Sequence, residues 1–212
     1  MRHCLLLPSL LLLATPVVAD EIACEGPFAA DSSESRLQEV FGADNVVTGD
    51  APGPEGTTIL ATTVYPDDPE RMMVFGWWDE ESLSALSYVD LAPGDTAFGI
   101  GRGMRVDEVE ARNGEAFTMT GFWWDYGGYA GFQSGQLADL PGGCYLSLRL
   151  DTGVDVPDGL DVDAISGDQQ ISSDEPLLEQ LAVEVTQVTL GYPYPGLDEM
   201  DGVEMPEAQA GG

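Results

Sequence analysis

Residues 31–42 read DSSESRLQEVFG, and residues 45–48, 57–65 and 72–78 follow as NVVT, TTILATTVY and MMVFGWW. This stretch decides the fold class. Ser35 with Gln38 fits a helix capping box, Leu37, Val40 and Phe41 fall on one helical face, and Gly42 is a natural stop. Gly/Pro-rich residues 49–56 and the turn Pro66-Asp-Asp-Pro69 separate three apolar segments with strand-like spacing. The order is helix, strand, strand, strand.

The same order returns downstream. Residues 99–104, GIGRGM, lead into RVDEVEARNG, in which Val106 and Val109 share a face and Asn113-Gly114 ends a short helix. Residues 117–124 read as a strand, Tyr126-Gly-Gly as a turn, residues 129–132 as its return, and Cys144-Tyr-Leu-Ser-Leu-Arg-Leu as a further strand. Residues 151–170 read as loop. Ser173-Asp-Glu-Pro176 starts a short helix, and residues 183–190 form a final strand. The expectation is an α+β fold, an antiparallel sheet with short helices packed on one face. It forms a single domain over residues 20–195, built from two related helix–strand–strand–strand units, 25–95 and 99–192. Residues 196–212 lack periodicity and are expected to be a disordered acidic tail.

Upstream, residues 1–19 have the layout of a signal peptide. Arg2 and His3 precede an apolar run from Cys4 to Val18, and Val17-Val18-Ala19 provides small residues for cleavage. The run is too short, and too interrupted by Pro8 and Pro16, for a membrane span, which needs about 20 apolar residues. No span is expected after cleavage, and the protein is expected to be periplasmic or secreted.

Cleavage sharpens the chemistry. The 212-residue chain carries 38 acids against seven arginines, has no lysine, and has a net charge of −31. Its one histidine, His3, leaves with the signal segment. Triads built on imidazole, Schiff-base chemistry on lysine and histidine-based zinc sites are then excluded. Carboxylate chemistry remains, so a carboxylate- or calcium-dependent hydrolase is the residual enzymatic alternative. No cofactor and no metal ligand set is assigned. The charge opposes nucleic acid and anionic membrane surfaces. Two cysteines, Cys24 and Cys144, stay in the mature chain, and export predicts a disulfide between them.

GIGRGM is not a dinucleotide fingerprint, because its spacing is G-x-G-x-G and no βαβ unit follows. The acidic run of Asp151, Asp155, Asp158, Asp161, Asp163 and Asp168 does not fit an EF-hand, since Ile165 stands where an oxygen ligand is needed. An irregular calcium site over residues 151–168 stays open at this stage. All four tryptophans occur in two copies of Trp-Trp-Asp: Trp77, Trp78, Asp79 and Trp123, Trp124, Asp125. In a strand one Trp of each pair enters the core and the other faces out. The outward pair, with Tyr126 and Tyr129, is the candidate ligand surface. Such a surface suits another envelope protein or a glycan such as peptidoglycan.

The chain resembles an uncharacterised family of exported proteobacterial proteins. The resemblance rests on Phe41-Gly42-Ala-Asp-Asn45-Val46, Gly101-Arg-Gly-Met-Arg-Val-Asp-Glu-Val-Glu-Ala-Arg-Asn113-Gly114 and Gly121-Phe-Trp-Trp-Asp-Tyr-Gly-Gly128, with Pro141-Gly-Gly-Cys144 and Ser172-Ser-Asp174. It covers most of residues 24–192. Members tend to be apolar where Arg112 stands, and no activity or ligand comes with the family. More loosely, Gly103-Met104 and Glu108-Val109 before a terminating glycine are similar to small outer-membrane assembly lipoproteins and to tandem-repeat β-lactamase inhibitor proteins. That similarity implies a helical layer on an antiparallel sheet and function by protein binding. The sequence-level expectation is a non-catalytic envelope binding protein, with carbohydrate or peptidoglycan binding as the alternative.

Overall fold

The structure is a computed structural model that describes residues 21–53 and 56–196. The expected signal segment, residues 1–19, lies outside the described residues, as does all but the first residue of the expected tail. Among the described residues the chain is mostly β-sheet with three short α-helices, broadly α+β. No helix among the described residues is long and apolar enough to cross a membrane.

Helix α1 spans Glu34–Phe41. Its cap is Ser33, not Ser35. Ser33 has extended backbone, as a cap residue must, and its hydroxyl accepts from the Arg36 N–H at 3.4 Å. Leu37 is fully buried, Phe41 packs edge-on against Phe28 and Tyr65, and Val40 stays exposed. An antiparallel meander follows: β2 (Val46–Pro52), β3 (Thr58–Val64), β4 (Met73–Asp79) and β5 (Ser84–Asp90). Strand β5 has no counterpart in the sequence reading. Its alternation is broken by a bulge, with Gly76 facing Tyr88 but Trp77 facing Leu86, and by positive φ at Ala85.

Short strands β6 (Thr96–Ala97) and β7 (Ile100–Gly101) join the N-terminal β1 (Glu21–Ile22) in a small second sheet. Helix α2 spans Val106–Asn113. Glu108 accepts from the Arg105 N–H at 2.8 Å at its start, and Gly114 ends it in the left-handed region. Val106 and Val109 are buried as expected. Arg112 donates to the Phe98 carbonyl at 2.7 Å and lies over Gly99, where a Cβ would meet its Nε at 2.7 Å. The long side chain thus covers the bend before the helix instead of packing into the core.

The rest of the main sheet is β8 (Thr118–Thr120), β9 (Tyr129–Gly131), β10 (Tyr145–Asp151), β11 (Gln170–Ser172) and β12 (Glu184–Gly191), with α3 (Pro176–Gln180) before the last strand. The anticipated strand over residues 117–124 ends at Thr120, and Phe122 onward forms a turn. The expected 151–170 loop is irregular from Thr152 to Gln169 apart from a 3-10 turn at Asp163–Ile165, and β11 begins at its last residue. The α3 cap is Glu175, whose side chain accepts from the Leu177 N–H, while Ser173 is buried and hydrogen bonds to the Phe117 N–H and to Glu110.

Nine strands pair in the order β11-β8-β9-β10-β12-β5-β4-β3-β2, all antiparallel. The core lies on one face. Leu146, Leu148 and Leu150 of β10, Val188 and Leu190 of β12, Val89 of β5 and Phe75 of β4 meet Leu37, Val109 and Leu178 of the three helices. Each buried side chain of this size contributes roughly 1.5–3 kcal/mol. Cys24 and Cys144 sit at disulfide distance, their Cα atoms 6.2 Å apart across 120 residues. Gly142 makes this approach possible, because a Cβ there would meet the Cys24 carbonyl oxygen at 2.5 Å. The Tyr192 hydroxyl donates to the Phe28 carbonyl and ties the end of the sheet to the same N-terminal segment.

Candidate functional site on the open sheet face

Alternation along each strand places a second set of side chains opposite the core. Cross-strand register then lines them up in rows. One row runs Tyr129, Arg149, Gln187. The next runs Ser147, Thr189, Asp90, Val74, Thr63. A third runs Tyr145, Gly191, Tyr88, Gly76. In that third row each tyrosine ring lies over the glycine of a neighbouring strand. A Cβ at Gly191 would stand 2.3 Å from the Tyr145 ring, and one at Gly76 would stand 2.0 Å from the Tyr88 ring. The glycines make room for flat aromatic surface on the sheet.

This face forms a groove of about 1080 Å³. Its floor includes Tyr88, Asp90, Ser147, Arg149, Gln187 and Thr189. One wall is the loop with Trp124, Asp125 and Tyr126, next to Tyr129, and the other is the end of the β2–β3 hairpin with Pro52 and Ile59. Thr189 donates to the Asp90 carboxylate at 2.6 Å, and the Gln187 side chain also bonds to it. Burial pushes the Asp90 carboxyl above the ordinary range, against the lowering effect of those two bonds. Burial, with the Asp90 charge near by, pushes the Tyr88 phenol up to about 12. The Arg149 guanidinium lies 5.1 Å from the Tyr129 ring centre and donates to its hydroxyl at 3.4 Å.

The turn that carries Trp124 is held tightly. The Phe122 N–H donates to Ile165, the Gly167 N–H to Phe122, and the Thr120 hydroxyl to the Tyr126 carbonyl. Gly128 has φ +75°, and a Cβ there would meet the Leu150 carbonyl oxygen at 2.1 Å. Trp124 Nε1 donates to the Gly121 carbonyl at 2.9 Å, and its ring stands edge-on to Tyr126 at 5.5 Å.

The structure therefore divides the sequence-derived candidates. Trp124, Asp125, Tyr126 and Tyr129 line one groove. Trp77 is 5% exposed, stacks on Phe75 and donates Nε1 to Thr62 at 2.9 Å, so it belongs to the core. Trp78 is 41% exposed but donates to the Tyr192 carbonyl and packs edge-on against Tyr194, away from the groove lining. The Ser82 side chain and N–H, with the Glu81 N–H, hydrogen bond to Asp79, hold its carboxyl below the usual range and make it a turn-former. Trp123 is 50% exposed with φ +64°, tilted against the buried Phe122, and does not line the groove. The two Trp-Trp-Asp segments thus do not build one common platform.

Tyr88, Asp90, Tyr145, Arg149, Gln187 and Thr189 are the residues that sequence reasoning missed. The only sequence signal was Gly76 inside a strand pattern, a mark of close approach that bears on Tyr88; nothing local marks the others. The acidic stretch 151–168 yields no metal centre: among the described residues no group of three or more His, Cys, Asp or Glu side chains is placed to hold an ion. Comparison with known proteins finds no matching family model, no matching curated protein and no matching solved structure.

Proposed function

We propose that this is a non-catalytic binding protein of the bacterial envelope, periplasmic or secreted after removal of residues 1–19, and that the open sheet face is where it binds another envelope protein. The observation that carries the reading is the groove. It is wide, open and lined by aromatic rings interleaved with hydrogen-bonding groups, as in protein-recognition surfaces. The absence of histidine and lysine from residues 20–212 supports a binding role over the commonest catalytic ones. In this reading the chain is a single domain with two related halves, α1 with β2–β5 and α2 with β8, β9, β10 and β12. Each half is a helix followed by antiparallel strands, and the halves meet where β5 pairs with β12.

A photoreactive benzoylphenylalanine at Tyr129, on the groove, and another at Val40, exposed on α1, test this in the intact envelope. The expected result is a discrete covalent protein adduct from position 129 and none from position 40. Equal adducts from both positions, or none from either, overturn the reading. Glycan binding is the second reading, favoured by the rings of Tyr88 and Trp124 lining the same groove as Gln187 and Asp90. It predicts quenching of tryptophan fluorescence by chito-oligosaccharides, with loss of the response in Trp124→Ala.

A further inference from the structure

Asp90 is the odd group on this face. It stands in the floor of the main groove and also lines an adjoining recess with Met72, Val74 and Arg102. Its carboxylate is partly withdrawn from water, yet its partners are the neutral Thr189 and Gln187 side chains. Among the described residues no arginine is paired with it. Arg149, the cation lining the main groove, is engaged by the Tyr129 ring and hydroxyl. A carboxylate has about four acceptor positions, and two donors leave some of them unfilled. A buried charge without a counter-ion costs free energy, which a cationic guest would return as charge-assisted hydrogen bonds. The surroundings suit the rest of such a guest. Tyr88 and Trp124 add aromatic surface for an alkyl stem or a cation. The chain's net charge of −31 attracts basic surfaces and repels acidic ones.

We infer that the groove recognises a lysine or arginine side chain on a loop of a partner protein, with Asp90 as its counter-ion. This rests on the proposal that the open face is the binding surface, and it adds the chemistry of what is bound. A neutral glycan can donate hydroxyl groups to Asp90 but brings no counter-charge.

The test uses a phage library of disulfide-constrained random peptides, selected on the full chain after export. The selected sequences are expected to share Lys or Arg at one position. A synthetic peptide of that consensus is expected to lose more than about ten-fold in affinity on Asp90→Asn, and as much on the parent protein when its own cation is replaced by norleucine or Met. The peptide-side substitution does not depend on how the variant folds, and near-ultraviolet circular dichroism checks Asp90→Asn itself. Selection of peptides without a cation overturns the inference. So does equal binding to parent and Asp90→Asn when Trp124→Ala abolishes it, a result that leaves the groove standing as the site. Binding that ignores both Asp90→Asn and Trp124→Ala overturns both readings. Chito-oligosaccharide binding that is lost in Trp124→Ala but kept in Asp90→Asn overturns the cation and favours a sugar.

Discussion

The two Trp-Trp-Asp segments carry the same three letters and have opposite fates. In β4 the segment is a strand, so Trp77 goes inward onto Phe75 and Trp78 outward. After β8 it is a turn, where Trp123 takes a left-handed backbone and Trp124 folds back over Gly121 to wall the groove. The flanking residues decide. Phe75-Gly76 keeps one glycine inside a paired strand, whereas Gly121, Gly127 and Gly128 let the backbone double back against Leu150. A tripeptide of large aromatics therefore has no structure of its own here; the number and spacing of adjacent glycines assign it.

The strongest way to break the contrast is Trp77→Ala. Removing a core indole is expected to destabilise the fold by about 3–5 kcal/mol, with the Thr62 hydroxyl losing a donor as well. Urea denaturation measures it, and a loss below about 1 kcal/mol would place Trp77 outside the core. Next comes Gly128→Ala, which forces a side chain into the Leu150 carbonyl at positive φ. The expected cost is about 2 kcal/mol or more, together with a changed near-ultraviolet signal from the Trp124 turn.

Trp78→Ala and Trp124→Ala sharpen the contrast in function. Both are expected to cost no more than about 2 kcal/mol of stability, since neither ring is fully buried. Only Trp124→Ala is expected to abolish the adduct formed from position 129. Equal loss in both variants would mean that the surface is larger than the groove.

The smallest effect is a pH dependence. Burial raises the folded-state value of the Asp90 carboxyl above its ordinary 3.8. Its contribution to stability is therefore fully present below 3.8 and is lost as the pH rises through the folded-state value. Asp90→Asn cannot ionise, so the variant should gain on the parent as pH rises through that range. Paired urea titrations at stepped pH check the slope. A parent that gains on the variant would give Asp90 the opposite sign.

Much of the fold was legible because helix ends and regular strands follow local rules. Gly42 and Gly114 stop their helices, and the alternation of Tyr-Leu-Ser-Leu-Arg-Leu predicts the two faces of β10. Strand β5 was not legible, since its bulge opposite Gly76–Trp77 and the positive φ of Ala85 erase the period of two. The cap of α1 shifted because several serines compete locally and only Ser33 has extended backbone with an oxygen facing the Arg36 N–H. The site was half legible. Trp124, Tyr126 and Tyr129 are close in sequence and stand out by type. Tyr88, Asp90, Arg149 and Thr189 become neighbours only through register across β5, β12 and β10, a long-range property that no window of sequence contains.

The position of β12 has a consequence for how the chain is made. It is the last strand among the described residues, yet it lies in the middle of the sheet, between β10 and β5. Before residues 184–191 arrive, β5 and β10 each present an unpaired edge, open to strands from other molecules. Pairing β12 with β5 also joins segments about 100 residues apart, an entropic delay that slows folding. The chain is thus exposed to aggregation for as long as β12 is missing. A strong uniform negative charge then acts as a kinetic safeguard, keeping incomplete copies apart until each can close its own sheet.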